Sequence, residues 1–403
     1  MPKHARQGHI VAASAARHRG AAETDFNPDG SFRITSSDRT AVTFVLPSFA
    51  GGGAERVVLA LARNLDRERF SPRLIVLHGT GPLGNLVPPD MAVTDLATPR
   101  LRHAWRRLGQ ALRAVPGGVV IPTISHANLA VLMQRRRLPA GTRIIVRESN
   151  TPSASLATAQ WPGLMRWLYR RYFPVADAVM CPSARVAREF AEDFGLDRAR
   201  LAILPHPVDT AMIRQAAADP VRKPGGGPRF VAAGRMVPQK GFDRLLDLFA
   251  TLPDDAHLTL LGVGPDCASL QQQAGRLGIA ERVDFPGFTD DPWAHYAGAD
   301  AFLLPSRWEG MPNAALEALT TGSPVIAWRD AGGIAEIGAA GNAITLADDA
   351  AAFAEAMRRT PRNDAPVLRE SLLPDRFTLA AVMARFEALI EAVAAGYMPP
   401  PAA

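Results

Sequence analysis

The sequence has few cysteines and no long apolar run. Its two cysteines, Cys181 and Cys267, are too few for a disulfide framework and too far apart for a metal-binding pair. No stretch approaches the roughly 20 consecutive apolar residues of a membrane-spanning helix, and residues 1–39 contain no apolar signal core. We therefore expect a cytoplasmic protein, with peripheral contact at the inner face of a membrane as a further option.

Length and composition indicate two globular domains. The chain has 403 residues, of which 47% are hydrophobic and only 21% charged, and such a chain can build two cores of ordinary size. Short β-branched runs alternate with helix-length segments along most of it. The runs lie at 42–47, 73–78, 119–122, 143–146 and 178–181, and again at 229–233, 258–261, 283–286, 301–304 and 325–328. This pattern predicts an α/β protein of two Rossmann-like, doubly wound parallel-sheet domains that face each other across a cleft.

Composition shifts suggest where these domains begin and end. Residues 1–39 are polar and basic and predict a disordered extension. We expect the first domain at 40–205 and the second at 206–375. A last helix within 376–396 is expected to cross back onto the first domain, followed by a tail at 397–403.

Positive charge is concentrated in two segments of the first domain. Between 100 and 113, five arginines alternate with apolar residues at helical spacing, and no acidic residue intervenes. At 161–173, three arginines mix with tryptophan and tyrosine. Such helices can rest on an anionic membrane surface, although ordinary solvated surface helices would show the same pattern. Nucleic acid is not expected, because no binding motif accompanies the charge.

The segment 308–317 is the most informative part of the chain, because Glu309 and Glu317 straddle a predicted helix start. Glu309 would lie in the loop before the helix and Glu317 nearly two turns inside it, roughly 12 Å further along the axis. The helix start between them is an anion site, and its residues are Gly310, Met311, Pro312 and Asn313. A molecule with a central diphosphate and hydroxyls at both ends, such as a nucleotide sugar, fits this arrangement. A glycosidase does not, since its paired carboxylates lie within about 5 to 9.5 Å of each other.

Two further loops of the second domain follow predicted strands. Gly234, Arg235 and Lys240 follow the strand at 229–233, and Gly262 and Gly264 follow the next one. Arginine offers a forked donor and lysine a point charge to a diphosphate, while glycine allows the backbone to come close to a ligand. Each loop alone could be a plain turn, but three on one sheet indicate a binding site.

The first domain carries a glycine loop, Gly51, Gly52 and Gly53, between its first strand and first helix. Its backbone amides could bind a phosphate, or the loop could be a tight connection without a ligand. His126 and Arg147 follow the strands at 119–122 and 143–146. A histidine at such a strand end could face the cleft or be structural, and Arg147 has several polar neighbours that are equally good candidates.

Taken together, the loops at 51–55, 234–241 and 262–265 and the Glu309/Glu317 pair resemble the family 4 retaining glycosyltransferases of the GT-B fold. The resemblance covers most of residues 41–396. It implies a hexosyltransferase that moves a sugar from a nucleotide-sugar donor to a hydroxyl acceptor with retention. By the same resemblance, Arg235 and Lys240 would hold the diphosphate and Glu317 the ribose. Glu309 and His126 would contact the donor sugar.

No Asp-x-Asp occurs in the chain, which disfavours the metal-dependent glycosyltransferases that rely on that motif, so we expect no metal and no cofactor besides the donor. The expected acceptor is a glycan or a lipid-linked intermediate of a cell-surface polysaccharide such as lipopolysaccharide. Two alternatives remain open. A nucleotide-sugar epimerase can share this fold, and an inactive protein could bind the nucleotide sugar without turning it over.

Overall fold

The computed structural model describes residues 39–50, 52–98, 101–223, 225–338, 343–365 and 367–398. The predicted extension, except its last residue, lies outside these ranges, as do Gly51 and residues 399–403 of the predicted tail. The side chains of residues 101–103 lie outside the description as well.

The first domain is built on a seven-stranded, all-parallel sheet. Its strands stand in the order β3-β2-β1-β4-β5-β6-β7. They are β1 (Thr40–Ser48), β2 (Phe70–His78), β3 (Ala92–Asp95), β4 (Val119–Pro122), β5 (Arg143–Arg147), β6 (Ala178–Cys181) and β7 (Leu201–Ile203). The five strands expected here are confirmed, whereas β3 and β7, at the two edges, were not predicted.

Helices cover both faces of this sheet and enclose two apolar cores. They are α1 (Gly53–Asn64), α2 (Leu101–Arg113), α3 (Ser125–Leu132), α4 (Pro152–Ala157), α5 (Pro162–Tyr172) and α6 (Ala184–Phe194). Helix α1 packs on one face, and α2, α3, α5 and α6 pack on the other. Because both faces are covered, the central strands are apolar on both sides, which explains why they read as continuous β-branched runs.

The second domain has a six-stranded parallel sheet in the order β10-β9-β8-β11-β12-β13. Its strands are β8 (Arg229–Ala233), β9 (His257–Leu261), β10 (Val283–Gly287), β11 (Ala301–Leu304), β12 (Val325–Trp328) and β13 (Ile344–Ala347). The remaining helices are α7 (Thr210–Ala216), α8 (Phe242–Phe249), α9 (Cys267–Arg276), α10 (Trp293–Gly298), α11 (Asn313–Thr320), α12 (Ala350–Arg358) and α13 (Leu379–Ala395). The predicted fold class of two doubly wound parallel-sheet domains is confirmed.

The chain crosses from one domain to the other twice, and the two connecting segments are hydrogen-bonded to each other. Val208 donates its amide to the carbonyl of Phe377 at 3.0 Å, and the amide of Leu379 donates back to Val208 at 2.8 Å. Helix α13, which follows, packs on the first sheet, where the rings of Phe386 and Phe44 lie 6.4 Å apart. The first core is therefore completed by a helix that comes after the whole second sheet in sequence.

The two basic helices differ in what they expose. In α2, the apolar residues Leu108 and Leu112 are fully buried, so its apolar stripe belongs to the core. Helix α5 instead leaves apolar residues in solvent, with Trp161 just before it 65% exposed, Leu164 54% and Trp167 56%. No helix among the described residues is long and apolar enough to cross a membrane.

Candidate functional site

Three neighbouring strands of the second sheet bring the predicted donor residues to one edge. Strands β9, β8 and β11 are adjacent. The glycine turn 262–264 follows β9, the segment 234–240 follows β8, and Glu309 follows β11. Because parallel strands end on the same side of a sheet, these loops lie side by side, as the sequence predicted.

Lys240 and Glu309 form an ion pair within this edge. The Nζ of Lys240 lies 2.6 Å from Oε1 of Glu309, and the hydroxyl of Ser306 donates to the same oxygen at 2.7 Å. The Glu309 side chain is only 8% exposed, so the lysine compensates a largely buried carboxylate. By contrast, the side chain of Arg235 is exposed and has no hydrogen-bonding partner within the described part of the chain.

Glu317 lies on α11, but nearer the helix start than expected. The helix begins at Asn313, so Glu317 is its fifth residue, a little over one turn inside rather than nearly two. The indole Nε1 of Trp293 donates to Oε2 of Glu317 at 3.1 Å. Burial raises the pKa of Glu317 to about 7, and the Trp293 hydrogen bond and the Arg56 charge oppose that shift. This carboxyl group can therefore change its protonation state near neutral pH.

The start of α11 offers free backbone donors. Pro312 precedes the helix, and no side chain caps it. Within the described residues, the amides of Asn313 and Ala314 have no acceptor. Unpaired amides at a helix start, together with the helix dipole, favour a bound anion. They lie between Glu309 and Glu317, which is where the sequence placed an anion.

The structure gives a reason for glycine at positions 262 and 264 that the sequence did not reveal. Gly262 has a φ of +131°, and a Cβ atom there would collide with the carbonyl oxygen of Gly234. A Cβ atom on Gly264 would collide with the carbonyl oxygen of Met236. These glycines allow two loops of the site to pack against each other, whether or not they also contact a ligand.

The first-domain candidates also lie along one edge, since β1, β4 and β5 are adjacent. His126 is the exposed second residue of α3. The residue before that helix, Ile124, has a φ of +75°, a strained conformation for a β-branched side chain. Arg147 ends β5 and is buried, with Nη1 3.4 Å from the carbonyl oxygen of Ala54. Burial lowers the pKa of Arg147 to about 10, so it stays positively charged at neutral pH.

The described part of the glycine loop faces a carboxylate. A Cβ atom on Gly52 would collide with the carboxylate of Glu55, which is buried in the first turn of α1. A phosphate bound at this loop would meet that negative charge.

The two edges meet across the cleft. The hydroxyl of Thr151 donates to the backbone carbonyl of Glu309 at 2.8 Å, and the Nδ1 atom of His206 is hydrogen-bonded to the side-chain carbonyl of Asn313. A Cβ atom on Gly310 would lie 2.5 Å from the carbonyl oxygen of Ser149. First-domain and linker residues thus contact the segment 309–313 directly.

Four site residues were missed in the sequence: Thr151, His206, Trp293 and Ser306. Thr151, Trp293 and Ser306 follow strands β5, β10 and β11, so the rule that ligands lie beyond strand ends could have found them. His206 lies between two prolines in the linker, where only a domain boundary was expected. Among the described residues, no group of three His, Cys, Asp or Glu side chains could hold a metal ion.

Known protein families match both halves of the chain. A family model described as Glycosyltransferase Family 4 matches residues 51–212, and one described as Glycosyl transferases group 1 matches residues 227–363. The first match falls on the first sheet with its helices, and the second falls on the second sheet.

Two curated relatives are similar to parts of the chain. A GDP-mannose-dependent alpha-(1-6)-phosphatidylinositol monomannoside mannosyltransferase of Mycobacterium tuberculosis is 34% identical over 51% of this chain and 57% of its own length. A lipopolysaccharide core biosynthesis glycosyltransferase, LpsE, of Rhizobium meliloti is 31% identical over 40% of this chain and 46% of its own. The chain thus spans about half the length of these relatives.

Solved structures share the fold. The crystal structure of HepE from Anabaena in complex with UDP and glucose has a TM-score of 0.69 and 17% identity, covering 88% of this chain and 100% of that one. At this identity the similarity concerns the fold, and it confirms the GT-B arrangement of the two domains.

Proposed function

This chain belongs to glycosyltransferase family 4, and we propose that it transfers a sugar from a nucleotide-sugar donor to a hydroxyl acceptor, with retention and without a metal ion. One observation carries the proposal. The second sheet presents two carboxylates, two cations and an uncapped helix start along a single edge. No single group among them defines a reaction. Their order along the edge, however, matches the order of ribose, diphosphate and sugar in a nucleotide sugar.

The donor would lie along that edge. Glu317 would accept hydrogen bonds from the ribose hydroxyls, and the free amides of Asn313 and Ala314 would receive the diphosphate. Arg235, which has no hydrogen-bonding partner among the described residues, would close over the phosphates. Lys240 can share its three donors between Glu309 and the diphosphate. Glu309 would then accept hydrogen bonds from hydroxyls of the donor sugar.

The proposed reaction breaks the bond between the anomeric carbon and the diphosphate and forms a bond from that carbon to the acceptor oxygen. The acceptor proton passes to the departing phosphate oxygen, and attack comes from the same face. Negative charge grows on the diphosphate as the bond lengthens. Arg235, Lys240 and the α11 amides would stabilise it most in the transition state.

Glu309 is a poor candidate for a nucleophile that forms a covalent intermediate. Its Oε1 accepts hydrogen bonds from both Lys240 and Ser306, and such bonds lower the reactivity of a carboxylate. Retention by direct same-face attack agrees with this arrangement. His126, exposed at the opposite edge of the cleft, is proposed to contact the donor sugar.

The acceptor is proposed to be lipid-linked, for assembly of a cell-surface polysaccharide such as lipopolysaccharide. The support is the apolar surface formed by Trp161, Leu164 and Trp167, here called the α5 patch. Helix α5 also carries three arginines, and tryptophan favours the headgroup level of a membrane. Two relatives are named for a phosphatidylinositol acceptor and for lipopolysaccharide. The cytoplasmic location stays a prediction.

A panel of UDP-, GDP- and ADP-sugars, screened by thermal shift with and without chelator, tests the donor site. We expect one nucleotide class to raise the melting temperature, with the shift surviving the chelator. A shift that the chelator abolishes would contradict metal independence, and no shift with any nucleotide would contradict the donor site itself.

Turnover separates the alternatives. A glycosyltransferase consumes donor when acceptor is supplied and leaves an α-linked donor sugar in α linkage, which NMR of the product reports. Interconversion of the donor without acceptor would identify an epimerase. Binding without any turnover, even with isolated membranes as the source of acceptor, would identify an inactive binding protein.

A further inference from the structure

The segment 309–313, here called the donor segment, is held at both ends by side chains from outside the second sheet. At one end, Thr151 donates to the backbone carbonyl of Glu309 at 2.8 Å. At the other, His206 is hydrogen-bonded to the side chain of Asn313. Both outside residues are buried, at 5% exposure each. Between these two contacts lie Gly310 and the residues that lead into α11.

The Thr151 hydroxyl donates to Glu309 and makes no hydrogen bond within its own helix. Thr151 immediately precedes α4, where a threonine hydroxyl ordinarily accepts a hydrogen bond from an amide of its own helix. Here it makes no such bond. The amide of Ser153 donates to the carboxylate of Glu189 instead. The hydrogen bond of the Thr151 hydroxyl is thus made across the cleft, to Glu309.

His206 is fixed by its neighbours and by its charge state. Pro205 and Pro207 flank it in the linker and restrict the backbone on both sides. Burial and the nearby charge of Arg147 lower the pKa of His206 to about 3, so the ring is neutral at physiological pH. In the neutral tautomer that carries its proton on Nδ1, the ring donates from there to the side-chain oxygen of Asn313.

The donor segment is also in close contact with the glycine loop. A Cβ atom on Gly53 would lie 3.2 Å from the side-chain nitrogen of Asn313. Asn313 therefore lies between the linker and the start of α1. The side chain of Glu309 is held within the second domain, by Lys240 and Ser306, whereas its backbone carbonyl depends on Thr151.

We infer that Thr151 and His206 are positioning residues that fix the two ends of the donor segment when the domains are closed, so that donor affinity is linked to domain closure. The affinity part rests on the proposed function. Neither residue needs to touch the donor. Each instead holds a backbone or side-chain group of the donor segment, and the donor segment contacts the donor.

The test compares Thr151→Val and His206→Leu, which remove the donors, with Thr151→Ser and His206→Asn, which keep a donor near the original atom. Thr43→Val is the matched control, because the Thr43 hydroxyl is buried and has no partner among the described residues. The first readout is amide hydrogen exchange of residues 309–316 in the ligand-free full chain. We expect faster exchange in the two donor-removing variants and unchanged exchange in the other three.

The second readout is the dissociation constant for the nucleotide sugar selected by the thermal-shift panel. Loss of one such hydrogen bond should weaken binding roughly three- to tenfold, and the serine and asparagine variants should bind nearly as wild type. Unchanged exchange in both Thr151→Val and His206→Leu would overturn the positioning role. Faster exchange with unchanged affinity would overturn the link to the donor. If wild type binds no nucleotide sugar, the proposed function fails. The exchange data still decide whether Thr151 and His206 fix the ends of the donor segment.

Discussion

Lys240 and Glu309 come from loops after neighbouring strands, and their charged atoms lie 2.6 Å apart in a largely buried pair. Each residue was expected to contact a different part of the donor. Their pairing means that the cation also neutralises the carboxylate in the donor-free protein. Removing Lys240 therefore leaves the Glu309 carboxylate buried without a compensating charge.

The first prediction separates this structural role from the catalytic one. Lys240→Ala should lower the free energy of unfolding by about 3 kcal/mol, because Glu309 is left with only the Ser306 hydroxyl. The double variant Lys240→Ala/Glu309→Gln should recover most of that loss, since a neutral amide does not need the cation. Denaturant unfolding measures both values.

Activity should not recover in parallel. Both the single and the double variant should lose turnover by about a hundredfold or more, as expected when charge stabilisation in a transition state is removed. Glu317→Ala should also reduce turnover sharply. Near-normal rates in Lys240→Ala and Glu317→Ala together would show that the donor lies elsewhere.

The second prediction concerns pH. The ordinary pKa of a glutamate, 4.5, is raised to about 7 at Glu317 by burial. The donor-free protein should therefore lose stability as pH rises from 4.5 to 7, because the carboxyl group becomes charged later in the folded state than in the unfolded state. Ribose hydroxyls favour the charged form. Donor affinity should consequently rise with pH, by about tenfold between pH 6 and 8.

Titration calorimetry at several pH values measures this effect. A nucleotide sugar is the suitable ligand, because the terminal phosphate of a free nucleoside diphosphate titrates in the same range. Glu317→Gln removes the titrating group and should flatten the profile. A pH dependence that persists in this variant would assign the effect to another group.

The third prediction tests the loop packing at Gly262. Gly262→Ala combines a positive φ with a collision against Gly234, so it should be more damaging than strain alone. Gly278→Ala is the matched control, since Gly278 has a φ of +71° and open space around it. We expect about 1 kcal/mol of destabilisation at position 278 and clearly more at position 262, together with weakened nucleotide binding. Equal losses at the two positions would contradict the packing explanation.

The fourth prediction concerns membranes. Replacing Trp161, Leu164 and Trp167 by serine should abolish sedimentation with anionic vesicles at low salt while leaving nucleotide binding intact. Val367→Ser is the control, because Val367 is 68% exposed and lies in the second half of the chain. On α2, Arg106 is the better residue to neutralise, since Arg107 donates to the carbonyl of Leu96 at 2.8 Å. If the triple variant sediments with vesicles as wild type does, the α5 patch is not the contact surface.

The strands that the sequence did not predict share one property. β3, β7 and β13 are all edge strands, at three of the four sheet edges. An edge strand is less enclosed than a central one, and the four residues of β3 are all exposed. β3 therefore lacks the continuous apolar run by which a buried parallel strand is recognised, whereas β7 is apolar but only three residues long. Their pairing depends on the neighbouring strand more than on their own composition.

The site shows a similar division. Residues that follow strands, such as Arg235 and Glu309, could be located because a parallel sheet places all its strand ends on one side. The residues with which they form hydrogen bonds and ion pairs could not be located in this way. Lys240 and Glu309 are 69 residues apart, and Thr151 and Glu309 are 158 apart. Such pairings arise from domain closure and loop packing, which leave no periodic signal in the chain.

The position of α13 has a consequence for synthesis of the protein. Val382, Phe386 and Ile390 fill the core beneath the first sheet, yet they leave the ribosome after all of the second sheet. Until then, the first sheet has one apolar face incompletely covered. The nascent first domain should therefore remain open to chaperones and proteases while the second domain, whose own strands end at Ala347, is already able to fold.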